Sequence, residues 1–386
     1  MPQIVRRNGK LIIPSFSQLW KPLRQTLPQT PELKSRGNRP LQMDFEHHLK
    51  TLVYYHLEDH VSAQELLQEL RENDFARQYI APAEGIEKSS FSEATNSRGL
   101  EQFLYVFEQL YSQAYKTLPV EFSELGDLIA IDGSLIDSVL SMTWADYRKG
   151  SKKAKSHLGF DINRSIPRKV FLTDGKGDER PFVSKILNPG QTGVMDRYYQ
   201  HHGNFDLWQE EGKHFICRIK AKTKKTCIKA NELSEDSFIF YDAVVLLGTP
   251  RTNQTKKEVR LVGYTVDGTR YWVATDRFDL TAEQIALAYK LRWEIEKFFA
   301  WWKRHLKVYH LIARSKHGLM VQILAGLITY LLLAIYCQEQ HGEKVSIKRV
   351  RQLRNQMRNE IAQLEEEETD PQNSGPHGDF DLHASP

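Results

Sequence analysis

Apolar residues in the first third of the chain recur at helical spacing. One group lies three or four positions apart, as on the buried face of a helix: Leu100, Phe103, Phe107 and Leu110. Upstream, Ser62 followed by Glu65 has the spacing of a capping box at a helix start, and Ser90 with Glu93 repeats it. These patterns predict a helical N-terminal domain over residues 1–118.

Short apolar runs replace the helical periodicity after residue 118. Runs of this kind, bounded by Gly, Asn and Asp, are typical of strands. They comprise LIAID at 128–132, a segment around 156–162, KVFLTDG from Lys169 and GVMD at 193–196. The first run is apolar without interruption from Leu128 to Ile131, which favours a strand covered on both faces. The pattern predicts an α/β fold whose sheet begins within residues 119–208.

Four more β-like segments follow within or close to residues 209–278. They are HFICRIK, SFIFYDAVVLLG, EVRLVGYTV and RYWVATD. Their apolar residues alternate or run on, and turn residues separate them. We therefore predict a β-rich segment here, followed by helical sequence over residues 279–342.

The longest apolar stretch, residues 318–337, is long enough to cross a bilayer. It also contains Gln322, Thr329 and two tyrosines, and the sequence has no second stretch of this kind. A helix buried on all sides within a large domain has the same composition. We interpret this stretch as a core helix and expect a cytoplasmic protein that does not bind a membrane.

Residues 343–386 combine a basic helix with an acidic tail. Apolar residues recur there at helical spacing, with arginines beside them: Val350, Leu353, Met357, Ile361 and Leu364. This face suits a partner helix or a DNA backbone. From Glu365 onward the chain is acidic and then rich in Gly, Pro, His and Asp, which predicts a disordered tail.

The distribution of charge is more informative than the composition. With 386 residues, 40% hydrophobic and 26% charged, and a formal net charge of +4, the chain resembles an ordinary soluble protein of two or three domains. Lys and Arg cluster without acids at residues 148–155, 213–229 and 344–358. Such clusters suit contacts with phosphates, although a solvated surface explains any one of them as well. Three widely spaced cysteines form no disulfide or zinc pattern, which favours a reducing compartment.

Residues 289–303, YKLRWEIEKFFAWWK, carry a distinctive set of reactive side chains. At about 100° per residue, four of them fall within about 60° of one another on one face of a predicted helix. These four are Tyr289, Arg292, Glu296 and Lys303. An amphipathic surface helix with incidental charges explains any one of them, but solvation does not require this order around an acid.

The spacing Tyr-x2-Arg-x3-Glu-x6-Lys resembles the signature of bacterial insertion-sequence transposases of family four, which are DDE transposases. The resemblance implies that Glu296 is the third active-site carboxylate and that two aspartates precede it at strand ends. Asp132 ends LIAID, and Asp196 in GVMDRYY is similar to the family's second-Asp motif. Taken alone, each aspartate is better explained as an ordinary strand-end or turn acid.

Three carboxylates suit phosphodiester chemistry with two metal ions. Two divalent ions about 3.5–4 Å apart activate the attacking oxygen and stabilise the leaving one. Because Mg²⁺ prefers oxygen ligands, we predict that Asp132, Asp196 and Glu296 hold two Mg²⁺ ions, with Mn²⁺ as a substitute. Without metal, the acids should repel one another and at least one pKa should rise.

The resemblance also implies DNA-binding residues. It assigns Tyr289 and Arg292 to the DNA backbone near the scissile phosphate, and Lys303 suits another phosphate as a flexible point charge. Several family members cut through a DNA hairpin, which requires an aromatic surface for an extruded base. Trp272 lies roughly where the family has such a residue, although core packing explains it at least as well. Lys155 lies on the second predicted strand and suits either DNA or solvent.

Taken whole, the resemblance implies a ribonuclease-H-like catalytic core. Residues 119–208 and 279–342 would form this core, residues 209–278 a β-rich insertion, and the N-terminal domain would bind the transposon end. The implied function is cut-and-paste DNA transposition by metal-dependent strand cleavage and strand transfer. The implied partners are transposon-end DNA and target DNA, with a homodimer in the DNA complex, at the nucleoid of a bacterial cell.

Alternatives to this function and to its parts stay open. A ribonuclease-H-like nuclease acting on branched or hybrid nucleic acid would share the three acids. A non-catalytic DNA-binding derivative would share the scaffold. The N-terminal helices could serve packing or dimerisation instead of DNA binding.

Overall fold

The structure is a computed structural model that describes residues 14–34, 40–58, 60–234, 236–308 and 310–369. The first thirteen residues and most of the predicted acidic tail, from residue 370 onward, lie outside these ranges. The described N-terminal part is helical, as predicted. Its α-helices are α1 (Pro14–Trp20), α2 (Leu23–Thr26), α3 (Phe45–Leu57), α4 (Ala63–Glu72), α5 (Lys88–Ser97) and α6 (Leu100–Thr117).

One of the two predicted capping boxes marks a helix start. Ser62 caps α4, since its side chain accepts a hydrogen bond from the backbone N–H of Glu65 at 3.1 Å. The Glu65 carboxylate accepts from the backbone N–H of Val61 at 2.6 Å, one residue further back than predicted. The prediction at Ser90 is wrong, because α5 begins at Lys88 and Ser90 lies inside it.

A ten-stranded mixed sheet forms the centre of the described chain. Its strands are β1 (Leu128–Ser138), β2 (Asp146–Arg148), β3 (Ser151–Asp161), β4 (Ile166–Asp174), β5 (Thr192–Met195), β6 (His214–Arg218), β7 (Lys225–Ala230), β8 (Ile239–Leu247), β9 (Val259–Val266) and β10 (Thr269–Thr275). The order is β2-β3-β1-β5-β6-β10-β9-β8-β7, and β4 also pairs with β3. Strand β1 runs antiparallel to β3 and parallel to β5, which runs parallel to β6. The predicted α/β class is confirmed, and the order is compatible with a ribonuclease-H-like core.

Helices cover both faces of this sheet. The later helices are α7 (Arg180–Ile186), α8 (His202–Glu210), α9 (Ala282–Leu291), α10 (Trp293–His305), α11 (Lys316–His341) and α12 (Ile347–Thr369). Side chains alternate along a strand, so Ile129 and Ile131 of β1 pack in one apolar cluster with α7 and α8. Leu128 and Ala130 belong to the other cluster, with α10 and α11. Alternate residues of β1 therefore contact different helices: one set packs against α7 and α8, and the other against α10 and α11.

The β-rich segment extends the central sheet. Strand β10 pairs antiparallel with β6, and β9, β8 and β7 follow it outward. Strand β6 itself pairs in parallel with β5, although its sequence falls within residues 209–278. By strand pairing, β6 therefore groups with β1 and β5, and the outer strands begin after it.

Helix α11 contains the long apolar stretch and lies at the centre of the molecule. Among the described helices it alone is long and apolar enough to cross a membrane, yet 94% of its most apolar window is buried inside the protein. Helices α3, α5 and α6 pack against it. The N-terminal helices therefore share one hydrophobic core with the sheet. This burial supports the interpretation of α11 as a core helix.

Helix α12 folds back onto the N-terminal helices. Three of its predicted apolar residues are buried: Val350, Leu353 and Met357. The Ser15 hydroxyl at the start of α1 donates to Glu360 at 2.7 Å, and Arg358 pairs with Glu58 at 2.7 Å. Much of the apolar face that sequence left for a partner is thus covered by the chain itself.

Candidate active site

The parallel pairing of β1 with β5 brings the two predicted aspartates to neighbouring positions. Ala130 lies opposite Val194 in this pairing. Asp132 and Asp196 each follow two residues later, on adjacent chains spaced about 4.8 Å apart. Because side chains alternate between the two faces of a strand, both aspartates face the same side as Ala130 and Val194. The side chains of Ala130 and Val194 belong to the apolar cluster with α10 and α11. Both side chains therefore leave the backbone on the face of the sheet that α10 covers.

Helix α10 lies along β1 and runs in the same direction. Lys303 Nζ donates to the carbonyl oxygen of Leu135 at 2.8 Å. Seven residues earlier on the helix, the Glu296 carboxylate is near enough to Asp132 to raise its pKa. Seven helical residues rise about 10.5 Å and three strand residues about 10 Å. One alignment of helix and strand therefore satisfies both contacts.

The Tyr, Arg and Glu of the motif contact one another. Arg292 Nη1 lies 2.7 Å from Glu296 Oε1, and its guanidinium carbon lies 5.8 Å from the centre of the Tyr289 ring. Burial lowers the pKa of Arg292, but Glu296 and Tyr289 outweigh burial and raise it overall. Glu296 Oε2 is buried without a hydrogen-bond partner, and so is Arg292 Nε. The predicted shared face is thus present.

The prediction of one unbroken helix over residues 289–303 is wrong. Helix α9 ends at Leu291 and α10 begins at Trp293. The backbone N–H of Arg292 bonds to the carbonyl of Tyr289 at 3.2 Å, three residues back, which tightens the turn between the helices. Arg292 keeps right-handed helical angles, with φ −51° and ψ −31°. The side chains of the motif therefore stay on one face across the junction between α9 and α10.

Burial raises the pKa of Asp132 to about 7. The backbone N–H of Gly133, 2.9 Å from Oδ1, acts in the opposite direction. Glu179 and Glu296 raise the pKa further, and Arg292 partly offsets them. The pKa of Asp132 is thus raised in the predicted direction, but burial contributes more to the rise than repulsion between the acids.

Asp196 is fixed through both its side chain and its backbone. Its Oδ1 accepts from the backbone N–H of Tyr198 at 2.8 Å, and so caps the short 3₁₀ turn Arg197–Tyr199. Its carbonyl oxygen accepts a hydrogen bond from Cys217 Sγ at 3.3 Å. The first bond fixes the carboxylate within the turn, and the second holds the end of β5 against β6.

Among the residues that the structure describes, no three acidic, His or Cys side chains already converge as a metal site. Asp132 and Asp196 start from the face of the sheet that carries Glu296, but the Glu296 carboxylate is engaged with Arg292. The donors still fit a hard divalent cation, because all are carboxylate oxygens. Glu296 Oε2 is an unsatisfied buried acceptor, and a cation would lower the raised pKa of Asp132. The ligand set stays a prediction.

Sequence reasoning missed a fourth carboxylate, Glu179, just before α7. A Cβ added to Gly133 would lie 2.6 Å from Glu179 Cδ. Lys155 Nζ lies 3.2 Å from its Oε1, and the Tyr199 hydroxyl donates to its Oε2 at 2.8 Å. The one signal in the sequence was the glycine directly after Asp132, since glycine permits close approach to the backbone. Lys155, which sequence assigned to DNA or solvent, is an internal ion-pair partner.

Lys303 is engaged with the protein itself. Besides its bond to Leu135, its ammonium lies 6.0 Å from the centre of the Phe299 ring. Burial lowers its pKa, and Asp137 opposes that shift. In this structure Lys303 fastens α10 to β1, so its predicted phosphate contact would require it to leave that position.

Tyr271, and not Trp272, lies beside Tyr289. Neighbouring residues of β10 point to opposite faces. The Tyr271 ring centre lies 6.3 Å from that of Tyr289 and 4.7 Å from the guanidinium carbon of Arg218. The Trp272 ring packs on the other face, with Lys225 Nζ 3.8 Å from its centre. The structure thus separates Trp272 from the rest of the motif.

The Tyr271 side of β10 opens into a cavity of about 690 Å³. Its wall includes aromatic rings and two arginines: Tyr264, Tyr271, Tyr289, Trp293, Arg218 and Arg292. Tyr264 and Tyr271 are stacked at 5.3 Å with planes 10° apart, and Trp293 is 60% exposed. The cavity therefore joins flat apolar surfaces to cationic side chains directly beside the Arg292–Glu296 pair.

Comparison of the sequence with known protein families identifies the family. The sequence pattern of the family described as Transposase DDE domain matches residues 124–332, more than half of the chain. The matched range includes Asp132, Asp196 and Glu296.

Three relatives carry transposase names. A protein named as a transposase for insertion sequence element IS5377, from Geobacillus stearothermophilus, is 30% identical over 209 residues, covering 53% of this chain and 55% of the relative. One named as a transposase for insertion sequence element IS4SA, from Synechocystis, is 24% identical over 281 residues, covering 70% and 78%. One named as transposase y4zB, from Sinorhizobium fredii, is 27% identical over 198 residues, covering 50% and 56%.

The length of each alignment limits what the matches show about this chain. The aligned part of the chain spans little more than half the length of the first and third relatives. The family match does not depend on that length, because it covers the stretch that contains both aspartates and the Glu296 helix. The family predicted from the residues is confirmed: this chain belongs to the transposases that carry a DDE domain.

Proposed function

We propose that this protein is an insertion-sequence transposase that cleaves DNA at the ends of its element and joins them to target DNA. One observation carries the proposal. Asp132 and Asp196 each lie two residues beyond Ala130 and Val194, the last paired residues of the parallel strands β1 and β5, and the helix bearing Glu296 lies along β1 on the same face. Family membership implies dependence on a divalent metal ion. We propose two Mg²⁺ ions, with Mn²⁺ as a substitute.

A ribonuclease-H-like core is the part of the fold that we assign to catalysis. It would consist of β4, β3 and β1, which are antiparallel, and of β5 and β6, which continue in parallel with β1. Rigid strand ends hold metal ligands more accurately than loops do. We assign β7 to β10 to the family's β-rich insertion, and we propose that the N-terminal helices contact the transposon end.

Each side chain of the site has a role in this proposal. Bound divalent ions would activate the attacking oxygen and stabilise the leaving one. Asp132, Asp196 and Glu296 would hold these ions. Arg292 would exchange Glu296 for a DNA phosphate, because its planar guanidinium bonds carboxylate and phosphate oxygens alike. Tyr289 lies against Arg292 and would keep it oriented.

Transposases act on transposon-end DNA, and exposed cations in the loop after β6 suit that partner. Three lysines between β6 and β7 are exposed: Lys220, Lys222 and Lys224. Lys229 on the edge strand β7 is also exposed. Contacts between such lysines and phosphates supply affinity independent of sequence. Target DNA as a second partner, a homodimer in the DNA complex and action at the nucleoid are further parts of the proposal.

The test of this function is cleavage of DNA that carries the ends of the element. Purified protein with Mg²⁺ is expected to nick a duplex containing the sequences that flank its gene, and EDTA should stop the reaction. A duplex of the same length with scrambled ends is the matched control. Cleavage of an RNA–DNA hybrid without preference for these ends would point to the nuclease alternative. Specific binding without cleavage would point to a non-catalytic derivative.

A pair of variants decides which aromatic residue receives an extruded base. Tyr271→Ala is expected to weaken hairpin formation by about 5- to 150-fold, since base stacking contributes about 1–3 kcal/mol and about 1.4 kcal/mol is a factor of ten. Trp272→Ala, on the other face of the same strand, should leave it unchanged. The measurement is the fluorescence of 2-aminopurine placed beside the cleaved phosphate, which brightens when the base unstacks. A loss confined to Trp272→Ala would instead support the residue predicted from sequence.

A further inference from the structure

We infer that Glu179 is a positioning residue of the proposed metal centre, whose carboxylate links the chain after Asp132 to the turn that Asp196 begins. This inference rests on the function proposed above. In this role Glu179 fixes the separation of the two aspartates and adds a negative charge beside them. It is not itself one of the predicted ligands.

The first contact is with the backbone next to Asp132. A Cβ at Gly133 would lie 2.7 Å from both carboxylate oxygens of Glu179, so the carboxylate occupies the place that a side chain would need. Gly133 is not among the described residues with positive φ. Close approach, and not backbone freedom, therefore requires glycine here. The same Gly133 donates its N–H to Asp132 Oδ1, so its position also sets the orientation of that carboxylate.

The second contact reaches the turn at Asp196. The Tyr199 hydroxyl donates to Glu179 Oε2 at 2.8 Å. Tyr199 is the last residue of the turn that Asp196 caps, and its side chain is buried. Burial, with Glu179 and Asp132 adding to it, raises the pKa of Tyr199 well above its usual range, so the hydroxyl remains a donor. One carboxylate thus bridges the two strand ends that carry the aspartates.

The third contact holds the Glu179 carboxylate in place. Lys155 Nζ lies 3.2 Å from its Oε1 and also donates to the carbonyl of Gly177 at 2.9 Å. Both side chains are shielded, with 12% of Lys155 and 13% of Glu179 exposed. Each oxygen of Glu179 therefore has a partner, and ligating a metal directly would cost one of these bonds. Outer groups that hold metal ligands in this way typically change metal affinity by about 10–100-fold when replaced.

The test compares Glu179→Gln with Asp178→Asn in the full-length protein. Asp178 is the neighbouring acid, with a half-exposed side chain paired to Arg180 at 3.0 Å, so both variants lose one negative charge at almost the same place. Mn²⁺ affinity is measured by calorimetry, together with transposon-end affinity and melting temperature. We expect Glu179→Gln to weaken Mn²⁺ binding by about 10–100-fold with end binding unchanged. Asp178→Asn should match the wild type.

A second variant separates position from charge. Gly133→Ala keeps every charge but displaces the Glu179 carboxylate, and it should weaken Mn²⁺ binding in the same way. The double variant Glu179→Gln with Tyr199→Phe should lose less than the sum of the single losses, because both weaken the Tyr199–Glu179 hydrogen bond, which Gln can accept only as a neutral group. A purely structural role would lower melting temperature and end affinity together. Mn²⁺ affinity within twofold of the wild type in both Glu179→Gln and Gly133→Ala would overturn the inference.

Asp132→Asn distinguishes this inference from the proposed function. Loss of Mn²⁺ binding in Asp132→Asn but not in Glu179→Gln would refute only the role of Glu179. Wild-type Mn²⁺ affinity in Asp132→Asn, or no Mn²⁺ binding by the wild-type protein, would refute the metal centre and the inference with it.

Discussion

Glu296→Gln is expected to abolish metal-dependent DNA cleavage while leaving transposon-end binding intact. The substitution removes one proposed ligand but keeps an amide oxygen that can still accept from Arg292, its partner at 2.7 Å. Metal ions contribute several kcal/mol to stabilising charge in the transition state. At about 1.4 kcal/mol per factor of ten, we expect the rate to fall by about a thousandfold or more. The measurement is single-turnover cleavage in preformed protein–DNA complexes.

Glu294→Gln is the matched control for that experiment. Glu294 lies on the same helix, but it pairs with Lys297 at 2.5 Å and lines a separate cavity between α10 and α11. Its replacement should leave cleavage within about twofold, as usual for a surface charge. Equal losses in both variants would mean that the helix, and not the Glu296 carboxylate, had been damaged. Wild-type cleavage by Glu296→Gln would remove Glu296 from the catalytic set.

Asp132→Asn is expected to stabilise the metal-free protein at pH 8. The folded protein holds a proton on Asp132 up to a pKa of about 7, against an ordinary value of 3.8. The stability that this group contributes is therefore fully present below about pH 4 and is lost as pH rises through 7. A pKa difference of one is worth about 1.4 kcal/mol, so the free energy of unfolding falls by at most about 4 kcal/mol. Asn mimics the protonated acid and does not titrate, so the variant avoids this loss.

The difference in melting temperature between variant and wild type, measured in EDTA, should grow from pH 4 to 7 and then level off. Asp137→Asn is the control, because Asp137 lies on the same strand with 75% of its side chain exposed. It should shift stability by no more than about 0.5 kcal/mol. Excess Mn²⁺ should raise the melting temperature of the wild type and not that of Asp132→Asn. A difference that is independent of pH would contradict the assigned titration.

The sequence by itself determined the parts of this protein that depend on local pattern. The uninterrupted apolar run before Asp132 gave a strand buried on both faces, and the spacing around Glu296 identified the family. Ser62 with Glu65 located the start of α4. These features were readable because hydrophobic periodicity, helix caps and short motifs act between residues a few positions apart.

The tertiary structure alone decided how distant segments meet. The register of β1 against β5 set Asp132 and Asp196 each two residues beyond one matched pair, Ala130 and Val194, and the packing of α10 on β1 brought Glu296 near Asp132. Glu179 approaches Gly133 from the start of another helix, and the glycine after Asp132 is its one local signal. Trp272 and Tyr271 are adjacent in sequence, yet strand alternation within the assembled sheet sent only Tyr271 toward Tyr289. Such placements depend on pairing register and on burial among remote residues, which local spacing does not encode.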